Sequence, residues 1–286
     1  MASASVSLVI GESVLALTPI VIKTTKVDHL TSVWSRILTA AVVGYLVSGE
    51  RFLTPGEYGV STVLGYTNLL HVVSSYEAFR NLPAGQAMSI FYTYPLWILG
   101  LNSLINGESF TQKDYGCIGV ASLGSALVNY NPGRTVAPAH DTPEPMWGIF
   151  ASLLAAFTEA TMHALLRNTG WRDAGKSVWV VSGGSAVWLL GIIVLLFLSG
   201  SEYPVVRGTV GQIGSITAFH GLSTFIGYYL RFFAVPRLGT LTYSILSYSG
   251  LLASYVYGFV FLGERPGVVS LLGAALILFS GIYLVL

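Results

Sequence analysis

The sequence predicts an all-α integral membrane protein of ten transmembrane helices, arranged as two inverted five-helix repeats. Three observations carry that reading. Of 286 residues, 53% are hydrophobic and 9% charged, too little polar surface to cover a soluble globule of that size. The apolar residues gather in ten runs, each near the ~20 residues a helix needs to cross a ~30 Å hydrocarbon core. The chain also repeats itself. An offset of 156 places Gly65 on Gly221, Ala78 on Ala234 and Gly107-Glu108 on Gly263-Glu264; after a one-residue gap, Gly116 and Gly124 fall on Gly273 and Gly281.

In chain order the runs are Ser5 to Lys23, Leu30 to Val47, Gly59 to Ala78, Ala84 to Ile105, Tyr115 to Asn131, Met146 to Leu166, Val178 to Leu198, Val210 to Phe233, Leu241 to Leu262 and Val268 to Leu286. The first carries Glu12 and Pro19, lacks a basic leader or a small-residue cleavage site before it, and reads as a retained helix. All ten are continuously apolar, without the period-two alternation of barrel strands. The last two are joined by Gly263-Glu264-Arg265-Pro266-Gly267 alone, which makes them a membrane hairpin, and Gly85 to Asn131 repeats that plan.

Connections are short except between Pro132 and Pro145, where Pro132, Pro138, Pro143 and Pro145 cannot continue a helix. Residues 1–131 therefore form the first repeat, 132–145 the connecting loop and 146–286 the second repeat. Each repeat holds an odd number of helices, so the second must sit upside down relative to the first. The Arg167, Arg172 and Lys176 cluster after the sixth run tips the N-terminus to the cytoplasmic side. A plasma membrane is the preferred location, an organelle membrane the alternative.

Composition excludes several functions. A balance of 14 basic and 13 acidic residues with no block of like charge calls for no nucleic acid. The single cysteine, Cys117, excludes an internal disulfide. No HxxxH, CxxC or acidic cluster suggests a metal, and no Walker loop or nucleophile elbow suggests ATP use or catalysis. No cofactor is expected, and the protein is not expected to be an enzyme.

Charged or titratable side chains inside apolar runs are expensive, and those that survive are functional candidates by default. Glu159 and His163 lie four apart on the sixth helix, spaced for a hydrogen-bonded pair or a shared proton. Glu12 lies on the first helix with Pro19 and Lys23 along its stripe. The third aligns Asn68, His71 and Ser75; the eighth aligns His220, Thr224, Tyr228 and Arg231. The fourth aligns Gln86, Ser89, Thr93 and Trp97, and the ninth aligns Tyr243, Ser247, Gly250, Ser254 and Tyr257. Tyr92, Tyr94, Trp97 and Tyr248 sit deep enough in their runs to stack on a solute. The expected substrate-binding set is Glu12, Asn68, His71, Tyr94, Trp97, Glu159, His163, His220, Ser247 and Tyr248. Each also has a structural reading, as a helix-helix hydrogen-bonding partner or a packing residue.

The first half carries Leu82-Pro83-Ala84-Gly85, Pro95, Gly107-Glu108 and Gly116. The second carries Leu238-Gly239, Leu262-Gly263-Glu264-Arg265, Gly273 and Gly281. With these residues both halves resemble the repeat unit of the drug/metabolite transporter superfamily, in its ten-helix EamA-type branch. The second copy has Leu251 in place of the proline, and the first has Asn106 and Ser109 where the family usually has Leu and Arg. The resemblance implies a carrier whose helices 1, 3, 4, 6, 8 and 9 surround a cavity, with helices 5 and 10 outside it.

A secondary transporter working by alternating access is therefore expected, such as a metabolite exporter in a lipid bilayer. Its cargo is a small molecule, with protons a candidate co-substrate through Glu159 and His163. Glu12, Glu159 and the aromatic rings favour an amino acid or an amine-like cation or zwitterion. A nucleotide-sugar or sugar-phosphate antiporter is the alternative, but it would want more inward basic residues than Lys23, Arg36 and Arg231, which read as lying toward helix ends or on a peripheral helix. A non-transporting intramembrane enzyme or receptor-like protein is the alternative of another class.

Overall fold

Among the described residues the apolar runs are helical, but four of them are interrupted near their middles. The computed structural model describes residues 2–24, 27–82, 84–129, 144–200, 208–262 and 267–285. The first run is split into α1 (Ala2–Leu15) and α2 (Thr18–Thr24), followed by α3 (His29–Val47) and α4 (Glu57–Asn81). The fourth is split into α5 (Ala84–Phe91) and α6 (Tyr94–Asn106), followed by α7 (Gln112–Asn129), α8 (Pro145–Thr169) and α9 (Ala174–Leu198). The eighth comprises α10 (Val210–Phe219), a π turn (His220–Thr224) and α11 (Phe225–Ala234). The ninth is split into α12 (Thr240–Ser247) and α13 (Ser249–Leu262), and α14 (Val268–Val285) ends the described chain. Pro83, the turn Gly263-Glu264-Arg265-Pro266 and most of the connecting loop, including Arg134 and His140, lie outside the described residues.

The expectation of unbroken helices fails for physical reasons. A proline has no N–H, and its ring collides with the carbonyl four residues back. Pro19 therefore stops α1 at Leu15 and opens α2, and Pro95 stops α5 at Phe91 and opens α6. At the first break Ala16 N–H still bonds Glu12 O at 3.0 Å, while Leu17 N–H reaches only to Val14 O at 3.2 Å, a tightened turn. The ends elsewhere are capped as the sequence directs. The Asp28 carboxylate accepts from Leu30 and Thr31 N–H, and Asp173 from Lys176 N–H. Thr209 and Gln212 form a reciprocal capping box. Gly107 and Gly170 end α6 and α8 at φ of 65° and 66°, a left-handed conformation that only glycine adopts without cost.

Helix packing leaves apolar faces outside. Five described stretches are long and apolar enough to cross a membrane: Ala2–Val21, His29–Val47, Pro145–Thr169, Ala174–Leu198 and Thr240–Phe261. Along α9, Val187, Leu195, Phe197 and Leu198 all point outward, as lipid-facing residues do. In the interior, α4 packs on α8 and α9, α1 on α11 and α13, α3 on α9, and α6 on α8 and α12. Helices α7 and α14 pack chiefly on each other. They cross with Gly124 and Gly273 backbone to backbone, so a side chain added at Gly273 would run into Gly124, Leu127 and Val128. Ser280 on α14 donates to Cys117 O on α7 at 2.7 Å near the other end of that contact.

That crossing generates a prediction. Gly273→Leu forces the two helices apart and is expected to lower stability by about 1–3 kcal/mol, the usual cost of overpacking. Unfolding of the purified variant in detergent checks it, and Gly191→Leu, at an open position in α9, is expected to change little.

Candidate functional site

The interior is organised around Arg231, in the last turn of α11 and 3% exposed. Its Nε donates to Glu12 Oε1 at 2.8 Å, and its Nη1 lies 2.8 Å from Glu159 Oε1. Its Nη2 donates to Tyr94 OH at 2.9 Å, and that hydroxyl is 3.4 Å from Glu12 Oε1. One guanidinium thus ties α1, α6, α8 and α11 together. Its place near a helix C-terminus adds a favourable interaction with the unpaired carbonyls there.

Beside it lies a second cation. Arg36 Nη2 on α3 donates to Tyr228 OH at 2.7 Å, and the guanidinium sits 5.3 Å from the centre of the Tyr228 ring and 6.0 Å from that of Tyr76. Tyr228 OH also meets His71 Nε2 at 3.3 Å. His71 Nδ1 donates to Ala155 O at 3.1 Å, and His71 Nε2 is 3.3 Å from Glu159 Oε2. Two arginines therefore face two carboxylates, all buried, and the formal charges cancel. Isolated buried charges would cost several kcal/mol each, so this pairing is a condition of folding.

A cavity of about 70 Å³ opens against this cluster, space for several water molecules. Glu12, Arg36, His71, Tyr228 and Arg231 form its polar floor; Leu15, Phe79, Met88, Phe91 and Tyr92 form apolar and aromatic walls. On α4 the lining residues are confined to the second half, and on α8 to the first half. The cavity therefore extends from the cluster toward the end of the bundle where α4 finishes and α8 begins. Gly250 lets α13 approach: a Cβ there would meet Tyr92 OH and the backbone of Glu12.

The opposite end is tied shut by ion pairs. Arg167, in the last turn of α8, donates to Glu108 at 2.6 Å and to the carbonyls of Val235 and Leu238. Lys176 Nζ donates to Glu50 at 2.7 Å and Glu57 at 2.8 Å. Asp173 accepts from Ser48 Oγ and from Gly49 and Glu50 N–H. Glu57 precedes the apolar stretch of α4, and its bond from Lys176, aided by bonds from Thr54 and Trp171, holds its carboxyl down at about 2.

Of the residues singled out in the sequence, Glu12 and His71 line the cavity, and Tyr94 and Glu159 stand directly behind its floor. His220 bonds Tyr76 OH at 3.3 Å and Thr224 Oγ1 at 2.9 Å, behind Arg36. Asn68 donates to Ser185 Oγ at 2.8 Å and lines a smaller cavity of about 10 Å³ that also touches Arg36. Tyr248 stacks on Tyr92, ring centres 6.0 Å apart, with its hydroxyl on Ser122 at 2.8 Å. Ser247 only bonds back to Tyr243 O in its own helix. The side chains of Lys23, Gln86 and Ser89 lie outside the described ones.

Two expectations fail. His163 does not pair with Glu159; its Nδ1 meets Asn102 at 3.4 Å and its ring lies 4.3 Å from that of Tyr243. Four residues along a helix align two side chains only loosely, and Arg231 outcompetes an imidazole for the carboxylate. Trp97 is 43% exposed and packs edge-on against Phe157. Its stripe with Gln86 and Thr93 assumed an unbroken helix, and the Pro95 break rotates everything beyond Thr93. Conversely, Arg231 and Arg36 are central where position along the runs suggested periphery. The signal that finds them is charge balance: two carboxylates this deep require cations.

Comparison with known proteins follows the same lines. Residues 3–130 match the model of the EamA-like transporter family. An uncharacterized transporter of Bacillus subtilis (strain 168), YxxF, is 26% identical over 227 residues, covering 78% of this chain and 68% of the relative. A solved crystal structure superposes with a TM-score of 0.73 at 17% identity, over 98% of this chain and 96% of that one, a likeness of fold.

Two predictions arise from the charges. Arg231→Met leaves two buried carboxylates against one cation and is expected to cost about 3–5 kcal/mol; adding Glu12→Gln, which leaves Arg36 balancing Glu159, should recover part of it, as read from unfolding in detergent. At the closed end, Glu57 lies below its ordinary value of 4.5. Its pairing with Lys176 therefore stabilises fully above that value and is lost as pH falls toward about 2. Lys176→Gln should flatten that part of the acid-induced fall in melting temperature.

Proposed function

Starting from the match of residues 3–130 to the EamA-like transporter family, in a multi-pass membrane protein, we propose that the chain is a secondary transporter of a small zwitterionic metabolite of the amino-acid type, working by alternating access. The observation that carries the cargo is the charge-balanced floor of the cavity. Two carboxylates alone would attract an organic cation, but here each is already met by an arginine, so a net cation gains little. A zwitterion instead finds a carboxylate partner in Arg231 or Arg36 and an ammonium partner in Glu12, with Tyr92, Phe91 and Tyr228 around its apolar part. A sugar phosphate would face Glu12 with its own negative charge.

Alternating access rests on the inverted duplication of residues 1–131 and 146–286, and several contacts support it. The offset of 156 pairs Tyr92 with Tyr248; both mark helix breaks, and they stack on each other, as equivalent residues near a twofold axis would. Exchanging the halves turns the α4–α8 contact into α11–α1, and α6–α8 into α13–α1, each of which is present. Ser280–Cys117 lies beside the mate that the Gly124–Gly273 crossing would have under the same exchange. The ties from Arg167 and Lys176 join one half to the other at the closed end, so rocking the halves would break them and open that side. With the N-terminus cytoplasmic, that end faces the cytoplasm of a cell whose plasma membrane holds the protein.

Thermal shift of the purified protein with neutral amino acids, a quaternary ammonium salt and a hexose phosphate tests the cargo. Amino acids are expected to stabilise it, the other two not, and Glu12→Gln to abolish the shift. Stabilisation by the ammonium or phosphate probe alone would overturn the assignment, and uptake into proteoliposomes then tests movement.

A further inference from the structure

We propose that His71 and Glu159 hold one exchangeable proton between Nε2 and Oε2, directly beneath the cavity floor. The tautomer is set by the backbone. Ala155 O, 3.1 Å from Nδ1, can only accept, so Nδ1 carries a hydrogen. In a neutral ring Nε2 then has only a lone pair, which accepts from Tyr228 OH at 3.3 Å and also faces Glu159 Oε2 at 3.3 Å. Glu159 Oε1 is held by Arg231, whereas buried Oε2 has no hydrogen-bond partner among the described residues. Two lone pairs this close, on side chains 4% and 3% exposed, repel each other in a medium that screens poorly. A proton on either atom turns the repulsion into a charge-assisted contact.

The groups around the pair set its sign. Arg231 from α11 touches Glu159 and reaches Glu12 from α1; Arg36 from α3 lies across Tyr228; Tyr94 from α6 completes the ring. Without the proton these charges sum to zero. With it the floor gains one positive charge, which a carboxylate in the cavity neutralises. Proton and solute carboxylate therefore favour each other's binding, and by linkage the effect is reciprocal. The proton site stands on its own geometry; its use as a coupling site rests on the transport reading.

The test uses the purified full chain in nanodiscs and the proton as the probe. Proton uptake on stepwise acidification, followed down to the onset of acid unfolding, is compared among wild type, His71→Gln, Glu159→Gln and the double variant. A shared proton predicts that both single variants and the double lose the same one proton per molecule. No loss, or a double variant that loses two, overturns the proposal. Should a variant fail to fold, 15N-histidine NMR of the wild type decides. One histidine should keep Nδ1 protonated throughout while its Nε2 signal moves with pH, and no such histidine would refute the site. A protein that binds this proton yet moves no solute leaves the site standing and removes the transport reading.

Discussion

A single guanidinium holding two carboxylates out of water is the constraint on which the rest depends. Arg231, Glu12 and Glu159 come from three different helices, and each would be intolerable alone in an apolar bundle. The fold must therefore bring α1, α8 and α11 to within bonding distance of one point, and apolar packing, which is non-directional, could not specify that by itself. Tyr94 from α6 takes the remaining N–H direction, and Arg36, through Tyr228, supplies the second cation. The cluster acts as a register pin: sliding any one helix by a turn would strand a charge.

The helix interruptions belong to the same device. Breaks at Ala16-Leu17, Tyr92-Thr93 and Tyr248, and the π turn at His220–Thr224, all fall on helices that deliver a residue to the cavity or to its immediate surround. Backbone groups freed from a helix are tolerated at membrane depth only where protein or a wet cavity receives them. Helices α4, α8 and α9, which carry no such break, each run for 25 residues. Irregular backbone is thus concentrated where polar partners exist, and the prolines that cause two of the breaks sit where the site can absorb their consequences.

Much of this was legible in the sequence, and what was not has a physical reason. Apolar run length located the described helices but not the breaks within four of them, and the cost of intramembrane charge singled out Glu12, Glu159 and His71, which meet in one cluster. Periodicity failed where a helix is not continuous: Trp97 was placed by counting across Pro95, and the break turned it outward. Pairing failed where the partner is remote in sequence. His163 is the nearest titratable neighbour of Glu159 along the chain, but Arg231, 72 positions away, is the one in space. Local spacing reports which side chains share a helix face; it is silent on which helix that face meets.

On the proposed transport reading, charge balance also bears on the kind of solute the cavity suits. A site with a net charge pulls in its counterion and holds it by Coulomb attraction, at the risk of holding it too tightly to release. A site whose positive and negative groups alternate around one floor has no net pull, yet it presents a strong local field over a few ångströms. A solute with one charge loses hydration and recovers only half of the available contacts, leaving the opposite group facing it unfavourably. A dipolar solute whose charges match that spacing recovers both. On the transport reading, a dipolar solute exchanges one set of charged partners for another instead of leaving a buried charge unpaired, which is the energetic condition for loading and unloading.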